Sequence, residues 1–162
     1  MVIRLKKGLC FFLAVILVFS LFACSKKETY TPYSLSQEIL ALCGEEIKWK
    51  SLDSDSAATY YGAGKQLLEN FAAYISDDDA RYDAVAIFAF ENEQEKKAIA
   101  DCFTENIKSN KATAGVVNAA ESAKIEKGVI IEFQNMLILI VTENSGEVAK
   151  ELLKMGAKHY IQ

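Results

Sequence analysis

Four aspartates form the densest group of side chains in this chain that could do chemistry. Asp77, Asp78 and Asp79 are consecutive, and Asp83 follows shortly after them. Calcium binds six to eight oxygens and commonly takes loop aspartates. These four lack the Asp-x-Asp-x-Asp-Gly order and the distal Glu of a calcium-binding loop, and aspartates are also ordinary turn residues. The pattern favours a solvated hairpin turn over a weak calcium site, and we predict no metal ligand.

Catalytic patterns of the common kinds are not found in the sequence. The single histidine, His159, has no recognisable partner set for nucleophilic catalysis. No serine lies in a Gly-x-Ser-x-Gly elbow, and Gly62-Ala-Gly64-Lys65 lacks the full order of a phosphate-binding loop. We therefore predict no catalytic residue and no cofactor. An enzyme whose carboxylate or tyrosine site assembles only in three dimensions stays open as an alternative.

Two cysteines, Cys43 and Cys102, lie well beyond the N-terminal leader. There is no Cys-x-x-Cys pair and no Cys/His set with zinc spacing. A disulfide between them is compatible with an exported protein. Because each lies on an apolar helical face, two buried free thiols are the simpler expectation, and spacing alone does not decide between the two.

Cys24 is the residue for which the sequence predicts a definite modification. Arg4, Lys6 and Lys7 precede an apolar run, residues 9–23, that only Ser20 interrupts. This order is typical of a secretory signal peptide, whose basic residues stay at the cytoplasmic face while the apolar run enters the bilayer. As a helix the run would span only about 22 Å. A bilayer core is roughly 30 Å thick, so we expect cleavage rather than a permanent span.

The end of this leader resembles the lipobox of bacterial lipoproteins. Leu21, Ala23 and Cys24 match that pattern, and Phe22 stands where a small residue is usual. The resemblance implies cleavage after Ala23 and attachment of diacylglycerol, with fatty acids such as palmitate, at Cys24. The alternative is a plain signal peptide or a signal anchor in which Cys24 is incidental.

Charge limits the partners of the exported part. Without residues 1–23 the chain has 139 residues, of which 15 are basic and 22 acidic, so its net charge is −7. An acidic domain is a poor candidate for nucleic acid or for charge-driven adhesion to anionic lipid. We expect a lipidated tether over residues 24–33, which include the single proline, and one domain over residues 34–162.

Helices are predicted from apolar spacing and from start and stop signals. The clearest covers residues 91–110, where Ile99, Phe103 and Ile107 form one stripe. The others are a first helix opened by a capping box at Ser34 and ended by Gly44, a short helix over residues 53–61, a turn or two over residues 119–124, and a last helix between Ser145 and Gly156.

Strands are predicted over residues 71–75 and 82–90 and over a final hairpin, residues 129–133 and 136–141, turning at Gln134-Asn135. Residues 82–90 are apolar on both parities and residues 136–141 are uninterrupted, which is typical of central strands. Residues 47–49 favour a short extended segment and residues 157–162 an edge strand. The predicted fold is two-layer α+β: a mainly antiparallel sheet of about four strands, packed by a long central helix and a C-terminal helix.

The order of these elements resembles a known group of small lipoproteins from Gram-positive Firmicutes, classed as domain of unknown function 4358. The resemblance is carried by the strand Asp83-Ala-Val-Ala-Ile-Phe-Ala-Phe90, the charged helix over residues 93–108, and the two strands of the final hairpin. It implies a Gram-positive cell envelope. It implies no activity, since the family is uncharacterised.

The sequence thus predicts a lipoprotein at the extracytoplasmic face of the cell membrane, held by lipid on Cys24 and without a nucleic-acid partner. A non-enzymatic binding or accessory module, with an envelope protein as a candidate partner, is the function we expect. A small envelope enzyme and a ligand-binding lipoprotein are the alternatives. A transporter's solute-binding lipoprotein usually has two lobes, whereas 139 residues form about one domain.

Overall fold

A computed structural model describes residues 29–160 of the chain. The predicted signal peptide and Cys24 lie outside the described residues. The strands are β1 Trp49–Ser51, β2 Phe71–Ser76, β3 Ala84–Ala89, β4 Val129–Phe133, β5 Met136–Val141 and β6 Lys158–His159. The helices are α1 Pro32–Cys43, α2 Ser54–Tyr61, α3 Glu93–Val117, α4 Ala119–Glu126 and α5 Ser145–Lys154, with a 3₁₀ turn at Lys65–Leu68.

The six strands form one antiparallel sheet in the order β1-β2-β3-β5-β4-β6. β3 and β5 are central, as their apolar composition predicts, and Ala84 pairs with Val141 while Ala89 pairs with Met136. The α+β class and the antiparallel sheet are therefore confirmed. The prediction of about four strands is wrong, because β1 and β6 are edge strands of three and two residues. Strands that short show too little alternation to be counted from sequence.

The sheet is covered by helices on both faces, so the predicted two-layer arrangement is wrong. Alternate residues of β3 point to opposite cores: Ala84, Ala86 and Phe88 to one, Val85 and Ile87 to the other. Helices α2, α3 and α4 contribute to the first core, which we call the α3 face. Helices α1 and α5 cover the second, the α1–α5 face. Both faces of an all-apolar strand must be shielded from water, which requires this third layer.

The first helix begins earlier than predicted. Thr31 is the N-cap, and its side chain accepts from the backbone N–H of Ser34, whose hydroxyl in turn accepts from the Thr31 N–H. Pro32 is suited to the first helical position because it has no N–H to leave unpaired there. Ser34 is therefore the last residue of the capping box, position N3, and not its first. Leu35, Ile39 and Cys43 of this helix are buried, whereas Leu42 is 41% exposed.

The long helix runs on to Val117, beyond the predicted end at residue 110. No proline interrupts it, and Asn118 alone separates it from α4. The Asn118 N–H donates to the Ala114 carbonyl, while its side chain accepts from the N–H groups of Ala120 and Glu121. One residue thus ends α3 and caps α4, which makes a tight helical hairpin.

The β4–β5 hairpin matches its prediction at every residue bound. The left-handed turn residue is Gln134, with φ 54°, and not its neighbour Asn135. Tyr30 reaches this turn: its N–H donates to Gln134 Oε1 at 3.3 Å, and its ring lies 5.6 Å from that of Phe133. The described chain therefore enters the domain at the hairpin-turn end of the sheet.

Tyr61 and Tyr60 offer a matched test of the packing on the α3 face. Tyr61 is fully enclosed by aromatic rings, and its hydroxyl has no hydrogen-bond partner among the described residues, whereas the Tyr60 hydroxyl accepts from Asn110. Since an unpaired buried hydroxyl costs free energy, we expect Tyr61→Phe to raise the unfolding free energy by about 1 kcal/mol. Tyr60→Phe should lower it by a similar amount.

Urea denaturation of the two variants measures both changes. If Tyr61→Phe lowered the unfolding free energy as much as Tyr60→Phe does, the Tyr61 hydroxyl would have a partner that the described geometry does not provide.

Candidate functional site

A cluster of four charged side chains lies at the end of the sheet where β3 begins. Asp83 immediately precedes β3 and is completely buried, as is Lys124 of α4. Glu121 stands one turn before Lys124, and Arg81 precedes Asp83 by two residues. The loop into β3 and the helix α4 therefore bring these charges together.

Distances show two ion pairs centred on Lys124. Its Nζ lies 2.7 Å from Glu121 Oε2 and 3.0 Å from Asp83 Oδ2. Arg81 Nε donates to the same Asp83 oxygen at 2.6 Å, and this hydrogen bond raises the pKa of Arg81 above its ordinary value. Glu121 Oε2 also accepts from the Tyr82 N–H at 2.8 Å. Two acids and two bases share one site, so its net charge is zero.

The geometry suits a structural clamp better than a reacting centre. Both carboxylates are engaged by cations, and neither faces a described groove. Two atoms of this cluster, Asp83 Oδ1 and Lys124 Nζ, make no hydrogen bond with the described residues, so Lys124 is held by its two ion pairs. Helix α4 packs chiefly on α3, so the contacts of Lys124 and Glu121 with Asp83 and Tyr82 are the polar links that fix α4 to the sheet. Removing Lys124 would leave the buried Asp83 with Arg81 alone, and removing Asp83 would leave the buried Lys124 with Glu121 alone, so either change weakens the compensation of a buried charge.

The predicted aspartate group does not form a single site. Residues 77–79 lie in an exposed turn, where the Asp78 side chain accepts from the Ala80 N–H and its own N–H donates to Ser76 Oγ. Asp83 instead lies buried among Arg81, Glu121 and Lys124, and we call these four residues the ion cluster. Within residues 29–160 no three His, Cys, Asp or Glu side chains are arranged to hold a metal ion.

His159 lies in the exposed edge strand β6. Cys43 is buried on the α1–α5 face and Cys102 packs on the α3 face, so the sheet separates them and both thiols are free. The disulfide alternative is therefore wrong. Cys24, the predicted lipid attachment residue, lies outside the described residues.

Lys124 is the functional residue that sequence reasoning missed. Its window carries Glu121 three residues earlier and Ile125 immediately after, and Ile125 is buried. The position of Lys124 next to the buried Ile125 was the only hint in the sequence that Lys124 is buried. Its buried partner Asp83 lies forty-one residues earlier in the chain. Only the folded arrangement brings the two together.

An open groove lies between β1 and α2 and has a volume of about 560 Å³. Its lining is mainly polar, with Lys50, Asp53, Asp55, Thr59 and Tyr60 among its residues. Four of these already have partners. Asp53 caps α2 through the Ser56 N–H, Asp55 pairs with Lys65 at 2.7 Å, Thr59 Oγ1 donates to the Asp55 carbonyl, and the Tyr60 hydroxyl accepts from Asn110. The groove could admit a small polar ligand, although no described feature selects one.

No protein-family model matches this chain, and neither a curated protein nor a solved structure matches it. The resemblance to domain of unknown function 4358 accordingly stays a prediction. None of the helices within residues 29–160 combines the length and the apolar character that crossing a membrane requires.

Removing the Lys124 side chain tests whether the ion cluster stabilises the fold. Lys124→Ala leaves Asp83 buried without its closest lysine, and we expect the unfolding free energy to fall by about 3 kcal/mol or more. Lys111→Ala is the matched control, since Lys111 pairs with Glu126 on the same helical hairpin but in solvent, and it should cost less than about 1 kcal/mol.

Chemical denaturation measures both variants, and Asp83→Asn, Lys124→Met and their combination form a double-mutant cycle. We expect the double variant to lose less stability than the two single changes together. Equal losses for Lys124→Ala and Lys111→Ala would contradict the clamp.

A second test uses the thiol of Cys43. Burial raises its pKa from about 9 to about 11, Thr142 partly offsets this, and the charge of Asp83 adds to it. Because the folded protein holds this proton more tightly than the unfolded chain, the thiol contributes stability below pH 9 that is lost as the pH rises through 11. The slope should be at most about 1.4 kcal/mol per pH unit.

Denaturation at stepped alkaline pH measures this loss, and Cys43→Ala is the control that should lack this component. Identical alkaline slopes in the two proteins would show that the Cys43 thiol titrates alike in the folded and unfolded states.

Proposed function

We propose that this protein is a lipoprotein of the extracytoplasmic membrane face that serves there as a non-enzymatic binding or accessory module. The observation that carries the proposal is the leader ending in Leu21-Phe22-Ala23-Cys24, with its basic start and its apolar run too short to span a bilayer. Cys24 carries the lipid and becomes the first residue of the mature chain.

The properties of the domain support attachment by lipid rather than by charge. The mature chain has a net charge of −7, which repels anionic lipid headgroups. Acyl chains bind through about 0.8 kcal/mol for each buried CH₂ group, so two or more chains hold a protein firmly. The lipid is then the membrane attachment, and the domain stays within the reach of a short tether.

The charged cluster supports a module without catalysis. Asp83 and Lys124 are buried and mutually neutralised, and two grooves elsewhere on the domain are open to solvent and lined mostly by polar residues. A small-molecule-binding role is the second candidate, and the observation favouring it is the groove between β1 and α2. Ligand specificity would then come from Lys50 and Tyr60, which line that groove.

Metabolic labelling tests the lipid. Cells fed an alkyne-tagged palmitate should label the wild-type protein, because Cys24 receives the acyl chains. The Cys24→Ala variant should not label and should keep residues 1–23, since lipoprotein cleavage follows lipidation. Cys102→Ser is the control, because that partly buried thiol should be irrelevant to labelling.

Labelling that persists in Cys24→Ala would overturn the lipoprotein proposal. So would an unlabelled wild-type protein that is cleaved and released from cells, since that is the behaviour of an ordinary signal peptide.

A further inference from the structure

The two fully buried members of the ion cluster lack hydrogen bonds that buried charges ordinarily make. Lys124 Nζ lies 3.0 Å from Asp83 Oδ2 and 2.7 Å from Glu121 Oε2, yet it makes no hydrogen bond with the described residues, and neither does Asp83 Oδ1. The side chains of Lys124 and Asp83 are 1% and 0% exposed. Buried polar groups are nearly always hydrogen-bonded, so a permanent ion pair does not account for these two atoms.

An amine held against a carboxyl group in a site without water is the starting point for an amide bond. We propose that Lys124 and Asp83 become joined by such a bond, between Nζ and Cγ, once the chain has folded. The bond accounts for both unpaired atoms, because Oδ1 leaves and Nζ becomes an amide nitrogen with one N–H to donate and Glu121 as its neighbour. This inference does not depend on the proposed lipid attachment.

The neighbours of the pair have the positions that this condensation requires. Glu121 Oε2 lies 2.7 Å from Nζ and also accepts from the Tyr82 N–H, so it is fixed where it can take a proton from the amine. Arg81 Nε donates to Asp83 Oδ2 at 2.6 Å, and its charge stabilises the negative charge that develops on Oδ2 as Nζ attacks. Burial excludes the water that would hydrolyse the product.

The reaction balances without an oxidant, a reductant or a cofactor. One proton of the Lys124 ammonium passes to Asp83 Oδ1, since Arg81 occupies Oδ2, and burial favours this neutralisation because charges without water are costly. The lone pair of the amine then attacks Cγ, a bond forms between Nζ and Cγ, and negative charge moves to Oδ2. Glu121 takes a second proton from Nζ and delivers it to the Oδ1 hydroxyl. The Cγ–Oδ1 bond breaks, water leaves, and Glu121 is again a carboxylate.

The amide fixes α4 covalently to the end of the sheet at which β3 begins. It closes the loop between residues 83 and 124, and such a cross-link stabilises a fold by restricting the unfolded chain, as a disulfide does. Cys43 and Cys102 are free, so the amide supplies a cross-link that no disulfide provides within residues 29–160. The reaction occurs once in each chain and turns over no substrate, so the protein remains a non-enzymatic module.

Peptide mapping of the full chain, after denaturation, tests this inference. Trypsin cannot cut after a lysine whose Nζ is part of an amide. Wild-type protein should therefore give one branched peptide that joins residues 82–96 to residues 112–127 and is lighter by one water molecule than its two parts. Lys111 and Glu126 are the internal control, because they lie 2.7 Å apart but in solvent. Trypsin should still cut after Lys111.

Two variants separate the parts played in the reaction. Lys124→Arg keeps a cation but has no amine that forms the bond, so it should give linear peptides only. Glu121→Gln keeps the shape of the side chain but cannot carry the proton. We expect it to slow the linkage by about a hundredfold or more, measured as the linked fraction against time after synthesis.

Folded wild-type protein that gives a linear peptide ending at Lys124, and no branched peptide, would show that the cluster stays an ion pair and would overturn the inference. Since this measurement uses the unsubstituted chain, a variant that fails to fold leaves it valid. Linkage of Lys111 to the same extent would also overturn it, because burial would then play no part. Linkage of Glu121→Gln at the wild-type rate would contradict the proton transfer assigned to Glu121.

Discussion

Burial of β3 and β5 on both faces is the constraint on which the rest of this structure depends. Every residue of β5 is buried, and five of the six residues of β3 are. A strand of that composition cannot leave either face in water. Helices must therefore cover the sheet twice, with α3 and its neighbours on one side and α1 and α5 on the other.

The ion cluster joins α4 to the sheet, where few apolar contacts are available. The helix α3 has twenty-five residues, and α4 packs chiefly on α3 and meets the sheet beside Asp83. Apolar packing positions α4 only at Ile125. Lys124 and Glu121 supply directional contacts where apolar area is scarce. Because a buried ion pair is often no more stabilising than an apolar substitute, its contribution here is to fix one position for α4.

The elements predicted best from sequence are those whose pattern is local. The hairpin of β4 and β5 is recovered to the residue, and α3 is recovered over most of its length. The third layer could also be predicted from sequence, since a strand that is apolar on both parities needs cover on both faces. The two-layer prediction is therefore inconsistent with the composition of β3.

The ion cluster could not be predicted in the same way. Asp83 resembles the neighbouring turn aspartates in sequence, and its burial follows from the entry of the chain into a central strand. Lys124 lies in a segment of weak periodicity whose helical state depends on α3. Contacts of this kind join residues far apart in the chain, and no local spacing encodes them.

The two ends of the sheet have different characters, and this difference connects the site with the proposals. At one end the chain enters beside Gln134, through a capped helix and an aromatic contact that fix its direction. At the other end a neutralised charge cluster holds an uncharged helical turn in solvent. The long axis of α3 links the two, since it begins just after β3 and ends past Asp83. A lipid at the entry end would therefore attach the protein at the end of the sheet opposite to the ion cluster, because the Tyr30–Gln134 contact and Asp83 lie at opposite ends of the paired strands β3 and β5.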